Sequence, residues 1–535
     1  MKKYIFLAAS ASALALASCS SDDFLGDTPG STPTSSNSAI NFGGDAGKIT
    51  RATSNEGDDH VKLDNQFKVY GVKKTNERFV TVFKDYSVLY NENLTTSNTN
   101  KWEYVKDNQT IKYWDYSASE YRFVAGSPIS AFTFYVPSDG TTKNIESATI
   151  TGLGGHIVAN TTETANTFNP VYVAEPKVVA KADYKNTVQF NFVRQQSMVR
   201  VGFYETIPGY SVTNIKFYEA DGTSATGNNI ILYSSTNDYF VGGTNVSGTV
   251  KYNWTATTPS YTFEYIKNEN LKKNKNWYAG ELSTLAKTST GDVAELYGTD
   301  KDMSATTGYF TVLPTQVATA SPILIKCDYE LTSDDGSGET INVKGATAAI
   351  PAAFSKWEAN TRYTYLFKIS DNTNGTTGTP GTDIPGLYPI TFDAVVQEVE
   401  QGTTTTVATP SITTKQDGSV DENSGIKYVV NKPITIKVTK SDEGSELDLT
   451  STENTNGYTV VYKFKDPITE AEAQVKGIET GVKVTNTSLD TAKKLFTFTP
   501  DAEGYYVIQY LTIEENSSKV YTYKVVKVEA APATK

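Results

Sequence analysis

The chain has 535 residues, too many for one hydrophobic core, and a formal net charge of −12 that argues against the basic stripe nucleic acid requires. Its two cysteines, Cys19 and Cys327, leave little scope for disulfide staples, and no long segment carries apolar residues at helical spacing. Length and patterning together predict about three or four domains, nearly all-β.

The first residues read as a secretory signal. Lys2 and Lys3 are basic, Tyr4–Ala17 is apolar but too short to span a bilayer as a helix, and Leu16-Ala17-Ser18-Cys19 sets small residues before a cysteine. That is the bacterial lipobox pattern. It predicts removal of residues 1–18 and acylation of Cys19, with each buried CH₂ worth about 0.8 kcal/mol of anchoring. An ordinary signal peptide with an incidental cysteine is the alternative. Asp22 and Asp23 follow directly, an acidic cluster that resembles the signal sending lipoproteins to the outer face of the outer membrane in some gram-negative anaerobes.

Residues 19–55 form the expected leader. Leu25–Gly47 is polar and rich in Gly, Pro and Ser, a composition that cannot bury a core. The roughly 30 residues from the lipid to Arg51 would reach about 30 Å as a coil. Within this tether, Ala39-Ile40-Asn41-Phe42 puts Ile40 and Phe42 on one face of a short strand, weakened by Gly43 and Gly44. Arg51 is the first arginine of the chain. It lies in a Gly- and Thr-rich stretch before the first patterned strand, Val61–Val72, where an extended backbone can enter a protease cleft. It is read as a proteolytic processing site, against a plain linker arginine.

The strands then follow with period two: FKVYGV, RFVTVF, AFTFYV, VQFNFV, VRVGFY, ITIKV and LFTFT. Trp102, Tyr104, Tyr113, Trp114, Tyr116, Tyr121 and Phe123 fall at strand spacing and are expected to fill a sandwich core; an exposed platform for sugars is the sharper alternative. Arg194 and Arg200 lie near strand residues and are read as members of a structural ion pair, against a ligand-binding role. Cys327, in PILIKCDYEL, is expected to be a small buried strand residue without a disulfide partner once Cys19 is acylated. Residues 371–386 make a Thr/Gly/Pro loop and 409–425 a linker. Residues 426–535 alternate strand and turn to a terminal hairpin, a length that suits an Ig-like β-sandwich.

Catalytic or metal chemistry finds little support. Asp58, Asp59 and His60 are adjacent, so on a strand they would diverge rather than converge on one metal; a solvated turn is expected. His156 sits in a Gly-rich loop, with no nucleophile elbow or phosphate loop anywhere. TSDDGSGE (332–339) lacks the ligand spacing of a calcium loop and reads as a hairpin turn. No catalytic residue, metal site or cofactor is assigned, and the chain is read as non-enzymatic.

The order of several strings is more specific than any one of them. FKVYGV, TVFKDYSVLY, KWEYV, IKYWDYSASEYRFVAGSP, AFTFYVP, PVYVAEPKVV, VQFNFVRQQSMVRVGFYETIPGYSVTNIKFYE, GYFTVLP, KWEANTRYTYLFKIS and LYPITFDAVVQEVEQGTTTTV run in succession behind a lipobox and a tether. This succession resembles the fimbrillin family, the type V pilins of certain gram-negative anaerobes, over about residues 40–408. The resemblance implies two transthyretin-like β-sandwiches, over 56–183 and 184–408, ahead of the Ig-like unit. It also implies a surface lipoprotein held to the outer membrane through Cys19 and cut at an arginine, here Arg51. The groove left by the departing leader strand would then take a strand from another fimbrial subunit, donated from a region matching Tyr388–Val407. The chain is thus read as a structural or adhesive fimbrial subunit, and the folded unit that follows this region favours a tip or accessory place over the stalk. Host or bacterial surface glycans or proteins are further expected partners, and a monomeric glycan-binding surface lipoprotein is the alternative reading.

Overall fold

The computed structural model describes residues 39–45, 59–90, 96, 101–104, 109–137, 144–156, 168–205, 207–220, 222, 227, 229–255, 258–282, 286–287, 309–317, 319–369, 383–385, 390–398, 404–408, 410–416, 428–440, 445–513 and 519–530. Among them the chain is nearly all β, as its period-two patterning requires. Ile323–Ser333 and Thr340–Ile350 show the pattern directly: alternate side chains are buried, and the two strands pair as an antiparallel hairpin across TSDDGSGE. Among the described residues the longest α-helix is Glu470–Lys476. A reciprocal Thr469–Glu472 capping box starts it, and Gly477, at φ +72°, ends it.

An eight-stranded sheet organises the first part of the chain. Its order runs from Phe42–Asp45 through Val188–Arg194, Tyr172–Ala174, Glu120–Ser127 and Gln66–Thr75 to Arg78–Tyr90 and Trp102–Glu103, with Lys177–Ala180 also paired to Glu120–Ser127. The central strands carry unbroken buried runs, because both faces of this sheet are covered. Val69 and Phe123 point into one core, with Phe42, Phe67, Phe83, Phe190 and Phe192. Their neighbours Tyr70 and Val124 point into the other, against Phe132, Ile150 and Val250 of a five-stranded sheet.

Pairing reaches across the expected division near Tyr184. Val188–Arg194 belongs to the eight-stranded sheet, and Phe240–Asn253 pairs antiparallel with Ser147–Gly155. The chain crosses into the next core at Gln195–Gln196, both buried. The Gln196 side chain replaces the ladder there, accepting from Val171 N–H at 3.0 Å and donating to the Asn169 carbonyl at 2.9 Å.

Two six-stranded sheets enclose the largest core, built around Trp277, Trp357, Phe203 and Phe367. In one, Ser197–Glu205 runs parallel to Thr361–Ile369, on which Ile390–Glu398 and then Thr404–Ala408 pair antiparallel. A four- and a five-stranded sheet form the last part of the chain around Ile436, Phe498, Tyr506 and Ile508. Pro410–Gln416, within the stretch expected to be a linker, pairs with Ile434–Lys440 in the four-stranded sheet. The terminal unit is also tied to its predecessor: Glu470–Lys476 packs on Thr340–Ile350, and Val520 is buried in the core of the preceding two sheets.

Candidate strand-insertion groove

The strand Phe42–Asp45, within the stretch expected to be a leader, lies at the edge of the eight-stranded sheet. Phe42–Asp45 pairs in parallel with Val188–Arg194, Phe42 opposite Val188 and Gly44 opposite Phe190, and Val188 N–H donates to the Asn41 carbonyl at 2.8 Å. Val188, Phe190 and Phe192 face inward at alternate positions, so the leader's own alternation sets Ile40 and Phe42 onto the same core; both are fully buried. The Phe42 ring meets Phe83 at 5.0 Å, Tyr104 and Phe123 at 5.7 Å, and Phe190 at 5.9 Å, with the Phe83 and Phe123 contacts edge-on.

The upstream end of the strand is clasped from the other side. Ile40 N–H donates to the Lys112 carbonyl at 2.8 Å, and Ala39 forms a bridge with Tyr113. The Tyr104 hydroxyl donates to the Ile40 carbonyl at 2.9 Å while accepting from Lys112 N–H at 3.1 Å. Burial pushes the Tyr104 phenol well above its ordinary range, which keeps it a protonated donor. At the downstream end Gly44 sits against Phe67, Leu63 and Phe192; a β-carbon there would come within 3.0 Å of the Phe67 ring. The chain returns through the helical turn Asp59–Lys62 to buried Leu63, whose carbonyl accepts from the Ser127 hydroxyl at 2.9 Å.

Beside the clasp, Trp114 stacks on Tyr184 at 4.7 Å, and Asp115 follows it. Partial burial works to raise the Asp115 pKa. The Lys73 ammonium at 2.5 Å and two bonds from Ser117 outweigh it and hold the carboxyl at about 2. A depressed carboxylate stabilises the fold above its unfolded pKa of about 3.9. That contribution should fall away as pH drops from there through 2. Trp114 fluorescence should report a loosening in this window that Asp115→Asn lacks; identical titrations of the two proteins would remove Asp115 from the clasp.

Other residues singled out in the sequence have separate places. Cys19 and Arg51 lie outside the described residues. His60 pairs with the Asn65 side chain and stacks on Tyr90 at 3.9 Å. His156 is a core residue, its Nε2 bonded to the Tyr278 carbonyl and its ring on Phe310. No cluster of His, Cys, Asp and Glu able to hold a metal occurs among the described residues. Trp102, Tyr104, Trp114, Tyr121 and Phe123 enter the core, whereas Tyr113 and Tyr116 are 41% and 40% exposed and lie at its rim. Arg194 donates to the Thr311 hydroxyl and the Met198 sulfur; Arg200 and Arg362 both lie over the Tyr309 ring, at 4.5 and 5.3 Å. Cys327 is buried, and burial pushes its thiol far above the reactive range.

Sequence reading found Ile40 and Phe42 but missed Tyr104 and Lys112 as the clasp and Val188–Arg194 as the partner strand. The last carried a signal in its Val188, Phe190, Phe192 alternation; the clasp carried none, because Tyr104 and Lys112 act through one hydroxyl and one carbonyl.

No family model and no curated protein matches the chain. Among solved structures, it is similar to a fimbrial protein from Bacteroides vulgatus at 13% identity, covering 68% of this chain and 100% of that one, with a TM-score of 0.35. It is also similar to a fimbrial assembly protein from Parabacteroides distasonis at 11% identity, covering 69% and 98%, with a TM-score of 0.24. Such scores fall short of superposed whole folds, so the fold rests on the pairing and burial described above.

Proposed function

We propose that this protein is a surface-anchored, non-enzymatic fimbrial subunit of the tip or accessory kind, assembled by protease-triggered strand exchange. The observation that carries this reading is the leader strand, which fills an apolar groove yet belongs to a segment that a single cut could detach. Ile40 and Phe42 supply roughly 1.5–3 kcal/mol each by burial, and each net hydrogen bond about 1 kcal/mol. A seated leader is therefore stable, and a vacated groove leaves Val188–Arg194 as an unpaired edge beside exposed core. Such an edge is a template for a strand from another chain.

In this reading Cys19 carries the lipid that holds the precursor at the outer membrane, and Arg51, between the leader strand and the helical turn Asp59–Lys62, is where the leader is cut. The region Tyr388–Val407 is the candidate donor, and the terminal unit that follows it favours a place at the end of a fimbria over its stalk.

The test is Arg51→Ala treated with an arginine-specific protease. The variant should keep its leader and fail to join other fimbrial subunits, with a drop in incorporated protein of at least tenfold against the native chain. Assembly at the native rate would remove Arg51 from the mechanism. Tight polysaccharide binding by uncut monomer, without polymer from cut protein, would favour the glycan-binding alternative.

A further inference from the structure

The two kinds of cationic side chain are placed differently in this chain. Of its 48 lysines and arginines only six are arginine, at positions 51, 78, 122, 194, 200 and 362; the other 42 are lysine. The last five arginines all lie in strands: Arg78–Tyr90, Glu120–Ser127, Val188–Arg194, Ser197–Glu205 and Thr361–Ile369. Lysine also occupies exposed positions between strands, among them Lys185, Lys267, Lys432, Lys465 and Lys493.

The strand arginines are held by side chain and backbone together. Arg122 lies over the Phe79 ring at 4.5 Å and the Trp254 ring at 5.2 Å, with Nε and Nη2 both 2.8 Å from Glu120 Oε1. Its strand is paired on both sides. Arg200 is fully buried over the Tyr309 ring, and Arg194 is buried against Thr311. Arg362 lies over the same Tyr309 ring, in a strand flanked by Ser197–Glu205 and Ile390–Glu398. Among the five, Arg78 alone is classed by its surroundings as exposed. Its backbone is closed all the same. Arg78 pairs with Thr75 across the two-residue turn Asn76–Glu77, both left-handed at φ +49° and +63°, and the next residue, Phe79, packs on Arg122.

A protease takes its substrate as an extended backbone on both sides of the cut bond, which a laddered strand presents only after local opening. Cutting at a strand arginine is then limited by the small open population, whereas an exposed residue between strands is available without it. We infer that the folded units are closed to arginine-directed proteolysis by placement: each arginine they contain sits in a paired strand, and lysine carries the cationic charge of the exposed turns. The partner this fits is a surface protease that takes arginine and refuses lysine. The inference rests on the reading that such a protease meets this protein, and not on where it cuts the leader.

The test uses the full chain carrying Arg51→Ala, alone and with either Lys267→Arg or Lys251→Arg added, treated with an arginine-specific protease. Lys267 lies in the exposed run 266–270 between two strands. The Lys251 side chain is 59% exposed, but its strand, Phe240–Asn253, is paired on both sides. The Lys267→Arg chain should be cut after position 267 at least tenfold faster than either of the others is cut anywhere. Cutting of the parent chain at a strand arginine as fast as this would overturn the inference. So would equal cutting of the Lys251→Arg and Lys267→Arg chains, or a Lys267→Arg chain that stays whole. Because position 51 is alanine throughout, these outcomes are separate from the processing reading: native assembly of Arg51→Ala would sink that reading and leave the placement of arginine standing.

Discussion

Phe42→Ala should free the strand Phe42–Asp45 while the remainder of the eight-stranded sheet stays folded. The ring is fully buried among Phe83, Tyr104, Phe123 and Phe190. Truncating a buried phenylalanine to alanine typically costs about 3–5 kcal/mol. Phe42–Asp45 is a four-residue strand at the edge of its sheet, laddered to Val188–Arg194 on one side and held on the other only upstream, through Ala39 and Ile40. The loss should therefore appear as local opening rather than as global unfolding. At about 1.4 kcal/mol per tenfold, a loss of 3 kcal/mol multiplies the open population by roughly a hundred. Amide exchange at Ile40–Gly44 should rise by about that factor, while Glu120–Ser127, central in the same sheet, changes little. Unchanged exchange at Ile40–Gly44 would show that the aromatic box does not hold the leader.

Val520→Asp should uncouple the terminal unit from the unit before it. Val520 opens the last strand, Lys519–Glu529, but its side chain is buried in the core built around Trp277 and Trp357, near the short turn Ala352–Phe354. A carboxylate placed there without a partner costs several kcal/mol if it stays buried. The inexpensive response is separation, because the terminal unit retains its own core around Ile436, Phe498 and Tyr506. Thermal unfolding should then resolve into two transitions, against a single coupled transition expected of the native chain. A single transition shifted as a whole would mean that the unit cannot stand apart.

Much of the local structure was legible in the sequence. Alternation marked Val188, Phe190 and Phe192 as one inward face, and it marked Ile40 and Phe42 as another before any partner was known. It also marked the aromatic set around Trp114, although Tyr113 and Tyr116 came out at the rim. A period of two says only that one face of a strand is buried. It does not say against what, and it weakens where both faces are covered, as in Gln66–Thr75 and Glu120–Ser127.

The sequence by itself therefore determined a nearly all-β chain and the residues of the Ile40–Phe42 stretch that face inward. Only the tertiary structure decided that Phe42–Asp45 pairs in parallel with Val188–Arg194, that Tyr104 and Lys112 clasp Ile40, and that Gly44 fills a socket closed by Phe67, Leu63 and Phe192. The physical reason is the range of the forces involved. Alternation is written residue by residue, because each side chain either meets water or does not. Pairing between distant strands is settled by the fit of side chains across the whole sheet and by the closure of long loops, which no local stretch of sequence encodes.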